Sequence, residues 1–222
     1  RDRLRSRGLG DVYKRQALML NMARNICHMD TAVRAGKQEK PVSGLEVWGK
    51  TIGVIGTGRI GKGVVQRAAG FNMNILANDA YPDHAFLERF GGQYVDLDRI
   101  YREADFITIH APLTDATNNM INERALSMMK PTAVLINAAR GGIVDEAALY
   151  MALKEHRIYG AALDATEIEP ACGSPLALLD NCILTPHAGA ATREASLKMG
   201  LLAAQNVIDV LRGKECRYIV NE

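Results

Sequence analysis

The stretch Lys50-Thr51-Ile52-Gly53-Val54-Ile55-Gly56-Thr57-Gly58-Arg59-Ile60-Gly61 decides the fold. Its first half is an apolar run that reads as a buried strand ending at Gly56. The helical pattern Ile60, Val64, Val65, Ala68, Ala69 then begins inside the glycine loop itself. Strand, tight turn and helix in that order make a cradle for a dinucleotide pyrophosphate. Gly56 permits the turn, Gly58 lets the backbone approach the phosphates, and Gly61 lets the helix pack on the strand. The helix N-terminus adds unpaired N–H groups and a partial positive charge. Three spaced glycines are weak alone, and Asp79 strengthens them. It ends a second apolar run, Asn74 to Asn78, eighteen residues past Gly61. A carboxylate at that distance accepts hydrogen bonds from ribose hydroxyls and repels a 2′-phosphate, which favours NAD over NADP.

Outward from the loop, strand and helix patterns alternate. Strand-like runs occur at 73–78, near 93–95, and at 106–110, 133–138, 159–165 and 182–185, with helical runs at 97–104, 122–129 and 145–156 between them. This alternation predicts an α/β fold of Rossmann type: a doubly wound, mostly parallel sheet with helices on both faces. Upstream, Leu18, Met22, Ile26, Met29 and Val33 recur at helical spacing, predicting one long amphipathic helix over 17–35 closed by Gly36. A polar connector containing Pro41 and Gly44 follows it. A final helix is predicted over 192–212, stopped by Gly213.

The 222 residues, 48% of them hydrophobic, can bury a full core. Of 27 basic and 25 acidic groups, six basic and two acidic ones fall in residues 1–16, leaving 21 against 23 in the rest. The body is therefore no nucleic-acid surface. The basic leader lacks periodicity and reads as translated adaptor sequence, a disordered segment outside the fold; a basic arm for an acidic partner is the alternative. Cys27, Cys172, Cys182 and Cys216 form no CxxC pair and no metal-like spacing, so reduced thiols in a cytoplasmic protein are expected. No apolar run approaches the roughly 18 residues of a membrane span.

In an open parallel sheet, ligands bind beyond the C-terminal ends of the strands. Three reactive side chains follow such ends. Arg140 comes after the run 133–139 and before Gly141-Gly142, where its guanidinium can hold a carboxylate through two parallel hydrogen bonds. Glu169 follows the run ending at Ala165, and His187 follows Ile183-Leu184-Thr185-Pro186. On neighbouring strands, His187 and Glu169 can pair, and the imidazole then gives a proton to a carbonyl under reduction and takes it back in reverse. Singly, each has an ordinary explanation as a solvated charge, a turn or a loop. Beside a nucleotide loop, together they describe hydride transfer to a 2-keto acid.

The segments Gly56 to Gly61, His110-Ala111-Pro112-Leu113-Thr114, Asn137 to Asp145, Leu163-Asp164 to Glu169-Pro170, and Thr185-Pro186-His187-Ala188-Gly189 stand in one order and spacing. In this the chain resembles the D-isomer-specific 2-hydroxyacid dehydrogenase family over about residues 17–220. The ending Gly213 to Asn221 is similar to the phosphoglycerate dehydrogenase branch. The resemblance implies that Arg140 orients substrate, that Glu169 and His187 form the acid/base pair, and that NAD is the cofactor. It also implies that Arg59 and Ile60 offer backbone to the pyrophosphate, with Asp79 on the adenosine ribose. Ala111 and Pro112 would flank the adenosine half, Ala138 would border the nicotinamide, Asp164 would bind its carboxamide, and Gly189 would close the pocket. Residues 17–213 would then be the NAD-binding domain with a long interdomain helix, and 214–222 a remnant of the substrate domain. Family members carry roughly a hundred residues ahead of that helix, an ordinary domain size. A homodimer is implied as well.

Two points set the chain apart. Ala165 and Thr166 stand where the family usually has a branched aliphatic residue and an aromatic. Asp145 reads as a helix N-cap rather than a reactive group. Two other functions compete: an NAD-sensing, co-repressor-like module without catalysis, and a methyltransferase, which has no use for the Arg, Glu and His set.

Overall fold

The computed structural model describes residues 10–37 and 43–214. Seven strands form one sheet: β1 (Thr51–Ile55), β2 (Asn74–Asn78), β3 (Gln93–Tyr94), β4 (Phe106–Ile109), β5 (Val134–Asn137), β6 (Gly160–Leu163) and β7 (Cys182–Leu184). All neighbouring pairs are parallel, in the order β3-β2-β1-β4-β5-β6-β7. The chain winds outward from β1 to β3, returns to β4 on the other side of β1, and winds outward again. Between β1 and β4 the connections therefore leave in opposite directions and open a crevice beyond the strand ends.

The strands are apolar on both faces because helices cover both. Ile52 and Val54 of β1, Ile75 and Ala77 of β2, and Val134 and Ile136 of β5 point to one side. There they meet α1 (Gly10–Arg24), α3 (Arg59–Gly70) and α4 (His84–Glu88) through Met19, Val64, Val65, Phe86 and Leu87. The alternate residues Ile55, Leu76, Ile107, Ile109 and Leu135 meet α5 (Leu97–Glu103), α6 (Glu123–Met128) and α7 (Glu146–Lys154) through Ile100, Leu126 and Leu149. This two-residue alternation is that of a parallel sheet sandwiched between helix layers. Each fully buried Ile, Leu or Phe contributes about 1.5–3 kcal/mol of transfer free energy. Gly53 belongs to the same logic, since a Cβ there would collide with Ile100.

Helices start where a short polar side chain accepts a backbone N–H. Asp83 accepts from Phe86, Asp96 from Arg99, Asn122 from Ala125, Asp145 from Ala148, and Thr192 from Ala195. Asp145 is thus an N-cap, as its position after an apolar turn suggests. The last helix, α8 (Arg193–Leu211), buries only Ala195 and leaves Leu197, Leu201, Val207 and Leu211 exposed.

The N-terminal helix departs from expectation in two ways. It begins at Gly10, so residues 10–16, assigned from sequence to a disordered leader, are helical, with Val12 and Arg15 buried. Val12 packs against α3, which the residues around it in sequence do not reveal. It then breaks at Asn25, whose backbone is left-handed (φ 52°), and resumes as α2 (Ile26–Arg34). Asn tolerates that conformation, and its side-chain amide donates to the Tyr159 hydroxyl at 2.8 Å. The apolar spacing runs through the break unaltered, so periodicity cannot show it. Gly36 does close the segment, with φ 72°. Residues 1–9, Pro41 and 215–222 lie outside the described residues.

Candidate active site

The glycine turn is built as a phosphate cradle. Gly56 has φ 92°, a left-handed value, and a Cβ on Gly61 would strike the Gly56 carbonyl, so the turn and the close helix approach both need glycine. Gly58 precedes α3 in an extended conformation, a Cβ there would meet nothing within 4 Å, and no side chain caps the helix. The first-turn N–H donors of a twelve-residue helix therefore face the mouth of the turn. Asp79, just past β2, is wired to this turn. Its Oδ2 accepts from the Thr57 backbone N–H (2.5 Å) and from Thr57 Oγ1 (3.0 Å), and Oδ1 accepts from the Tyr81 N–H (2.8 Å).

Beside the turn lies a cleft of about 700 Å³ along the strand ends. Past β1 it is lined by Arg59 and Ile60, past β4 by Ala111 and Pro112, and past β5 by Ala138 and Arg140. Past β6 come Asp164 and Glu169, and past β7 come His187 and Gly189. Five of the seven parallel strands thus contribute residues from beyond their C-terminal ends to one cavity. Gly56, Gly58, Gly61 and Asp79 are not in its lining and surround the adjoining turn instead.

Within the cleft, His187 Nδ1 lies 2.8 and 3.1 Å from the two oxygens of Glu169. The imidazole is thereby oriented, with Nε2 left as its second polar atom. His187 has φ 50°, and its loop is pinned by Asp164, which is buried. Asp164 Oδ1 accepts from Thr185 Oγ1 (2.5 Å) and the Ala188 N–H (2.9 Å). Arg140 Nη1 donates to the Ala139 carbonyl at 2.6 Å. Its turn is locked by buried Asn137, whose amide donates to the Arg140 carbonyl and whose Oδ1 accepts from the Ala139 N–H.

The NAD-binding-domain model of the D-isomer specific 2-hydroxyacid dehydrogenases matches residues 16–189. The chain belongs to that family. It is 46% identical over 206 residues to the D-3-phosphoglycerate dehydrogenase of Methanocaldococcus jannaschii, covering 92% of this chain and 39% of that protein. To the glyoxylate reductase of Pyrococcus furiosus it is 44% identical over 214 residues, covering 93% of this chain and 64% of that one. A crystal structure of D-lactate dehydrogenase with NAD+ from Lactobacillus jensenii superposes with a TM-score of 0.84 at 30% identity, over 96% of this chain and 68% of that one. The chain thus spans less than half of the first relative's length and about two thirds of the others'.

As a dehydrogenase NAD-binding domain, the chain fits its cofactor: a glycine cradle that no Cβ fills, an uncapped helix start, and a carboxylate tied to the glycine turn. The family's departure at Ala165 and Thr166 falls in buried positions. The Thr166 hydroxyl donates to the Ile168 carbonyl, tightening the loop that carries Glu169. Gly141 accepts that loop closely, for a Cβ there would strike the Thr166 carbonyl. Several contributors escape a sequence reading. Asn137 and Thr185 act through backbone and carboxylate contacts of strand-end turns, which only register and burial expose. His110, packed beside the glycine turn with its Nε2 3.1 Å from Thr108 Oγ1, is held neutral because burial, then the charge of Arg15, push its pKa well below the ordinary histidine value. Asp11 and Arg15 also reach the cleft, and Arg15 donates to the Asp11 and Ala138 carbonyls.

Proposed function

We propose that this chain carries the coenzyme site and the proton-transfer pair of an NAD-dependent dehydrogenase acting on D-2-hydroxy acids and their 2-keto acids. The observation that carries the reading is the contact of His187 Nδ1 with Glu169 at 2.8 Å, in the same cleft as Arg140. When bound, the nicotinamide supplies or accepts a hydride at its C4. Glu169 accepts from Nδ1, which leaves Nε2 to hold the proton that joins the substrate oxygen in reduction and returns in oxidation. Arg140 holds the substrate carboxylate by paired hydrogen bonds and draws electron density from the neighbouring carbonyl. Asp164 keeps the His187 loop in register. 3-Phosphoglycerate is the substrate we favour, on the likeness of the chain's ending to that branch and on the Methanocaldococcus relative.

Two measurements test this. Titration of the chain with NADH should give one binding site. Assayed in the full enzyme, His187→Ala should lower turnover by about 10²- to 10⁴-fold, the range for positioned acid/base catalysis. A loss below about tenfold removes His187 from the mechanism on that same scale. Stoichiometric NADH binding without oxidation by any 2-keto acid would instead favour a sensing module.

A further inference from the structure

A chain of hydrogen bonds joins edge strand β3 to the phosphate turn and takes no part in the proton chemistry above. The Asp83 N–H donates to Tyr94 Oη at 3.0 Å, Tyr94 Oη lies 2.7 Å from Thr57 Oγ1, and Thr57 Oγ1 donates to Asp79 Oδ2 at 3.0 Å. Proton accounting gives this chain a direction. The Asp83 amide can only donate and a carboxylate can only accept, so the single hydroxyl hydrogen of Thr57 goes to Asp79. Tyr94 must therefore donate its own hydrogen to Thr57 Oγ1. A chain with one direction polarises each of its members, and here its centre is dry: Thr57 is 3% exposed.

The consequence falls on Asp79. Its Oδ2 takes both hydrogen bonds from Thr57, and its Oδ1 takes that from Tyr81, so three of about four acceptor directions are committed. The carboxylate plane is thereby set, and Oδ1 is the oxygen with acceptor capacity to offer a ligand. Tyr94 is itself seated by a T-shaped contact with the His84 ring, with centroids 5.0 Å apart, and by the β2–β3 register that puts it beside Ala77.

We propose that Tyr94 is a positioning residue for cofactor selection. Acting through Thr57, it holds the Asp79 carboxylate in the orientation that accepts from the adenosine ribose and repels a 2′-phosphate. The proposal rests on the NAD-binding reading of the glycine turn. Removing the hydroxyl frees Thr57 to turn its hydrogen elsewhere and lets the carboxylate rotate, which weakens the ribose contact without touching the phosphates.

Isothermal titration of this chain with NADH and with NADPH tests it, using Tyr94→Phe, Thr57→Val, the double variant and Thr57→Ser. Tyr94→Phe should weaken NADH binding about three- to tenfold, the worth of one oriented hydrogen bond, while NADPH binding stays within about twofold. In the Thr57→Val background, Tyr94→Phe should have no further effect, since the two act in series. Thr57→Ser keeps the hydroxyl and should keep the wild-type preference. An unchanged NADH to NADPH ratio in Tyr94→Phe overturns the proposal, as does an undiminished Tyr94→Phe effect in the Thr57→Val background. Should Tyr94→Phe unfold, the Val and Ser variants of Thr57 decide alone, and equal ratios in the two overturn it. A wild-type chain that binds neither cofactor would sink the NAD reading itself, a result separate from any of these.

Discussion

Cys182 stands on β7, where the side chain is largely enclosed, and burial, followed by the charge of Glu146, pushes its thiol up to about 12. Cys27 and Cys172 are exposed. Thiolate is the reactive form, and an ordinary thiol titrates near 8.5. At pH 8, alkylation at Cys182 should therefore run on the order of a thousandfold slower than that of a free thiol in solution, as peptide mapping after brief iodoacetamide treatment would show. A rate at Cys182 comparable to that of a free thiol would mean that β7 opens readily. The residue scale also shows what identity alone conveys about a site. His187, Glu169 and Arg140 can be picked out because each is a reactive type after an apolar run. Asn137, Thr185 and Thr57 cannot, because a buried amide or hydroxyl matters only through the partners that folding supplies.

Among elements, the contact between the start of α7 and the loop after β6 has the clearest energetic signature. Glu146 Oε1 accepts from the Glu167 N–H at 2.7 Å, and Glu167 Oε1 accepts from the Glu146 N–H at 3.2 Å, so each carboxylate caps the other's backbone. This reciprocal tie anchors the loop two residues ahead of Glu169. Partial burial raises the Glu146 pKa from its ordinary 4.5; the hydrogen bond from Glu167 opposes this, and the nearby Glu167 charge adds to it. A raised folded-state pKa means that the protonated form fits the fold better. Its stabilisation is complete below the ordinary value and is lost as pH rises through the folded one. Glu146→Gln keeps the acceptor for Glu167 and removes the charge. It should raise Tm relative to wild type at pH 7, with the gain fading as pH falls below 4.5. Thermal melts across that range check this, and a gain that persists at acid pH would refute it. The elements themselves were largely readable. Strands expected at 106–110, 133–138 and 182–185 form at Phe106–Ile109, Val134–Asn137 and Cys182–Leu184. Long apolar runs bounded by turn residues leave few alternatives once both faces are covered. The short helix α4 and the break at Asn25 were not readable, one being too brief for a period and the other leaving the period intact.

For the whole molecule, the outer surface carries apolar side chains in elements beyond the cleft. Ile26, Val33 and Trp48, on α2 and the turn before β1, are 52%, 73% and 68% exposed. With the family likeness of this helix and connector, they lead us to predict a homodimer. Multi-angle light scattering at micromolar concentration should give about twice the chain mass of 24.2 kDa, and a monomeric mass would refute it. Among the described residues, no helix is long and apolar enough to cross a membrane. By itself the sequence determined the class of fold and the nucleotide turn, because strand period, helix period and obligatory glycines are local properties written along the chain. It also singled out which reactive side chains follow strand ends. Only the tertiary structure decided that 140, 169 and 187 share one cleft, that Tyr94 reaches Thr57, and that residues 10–16 pack against α3. Those depend on strand order, register and burial, which bring together residues far apart in sequence and which no local pattern encodes.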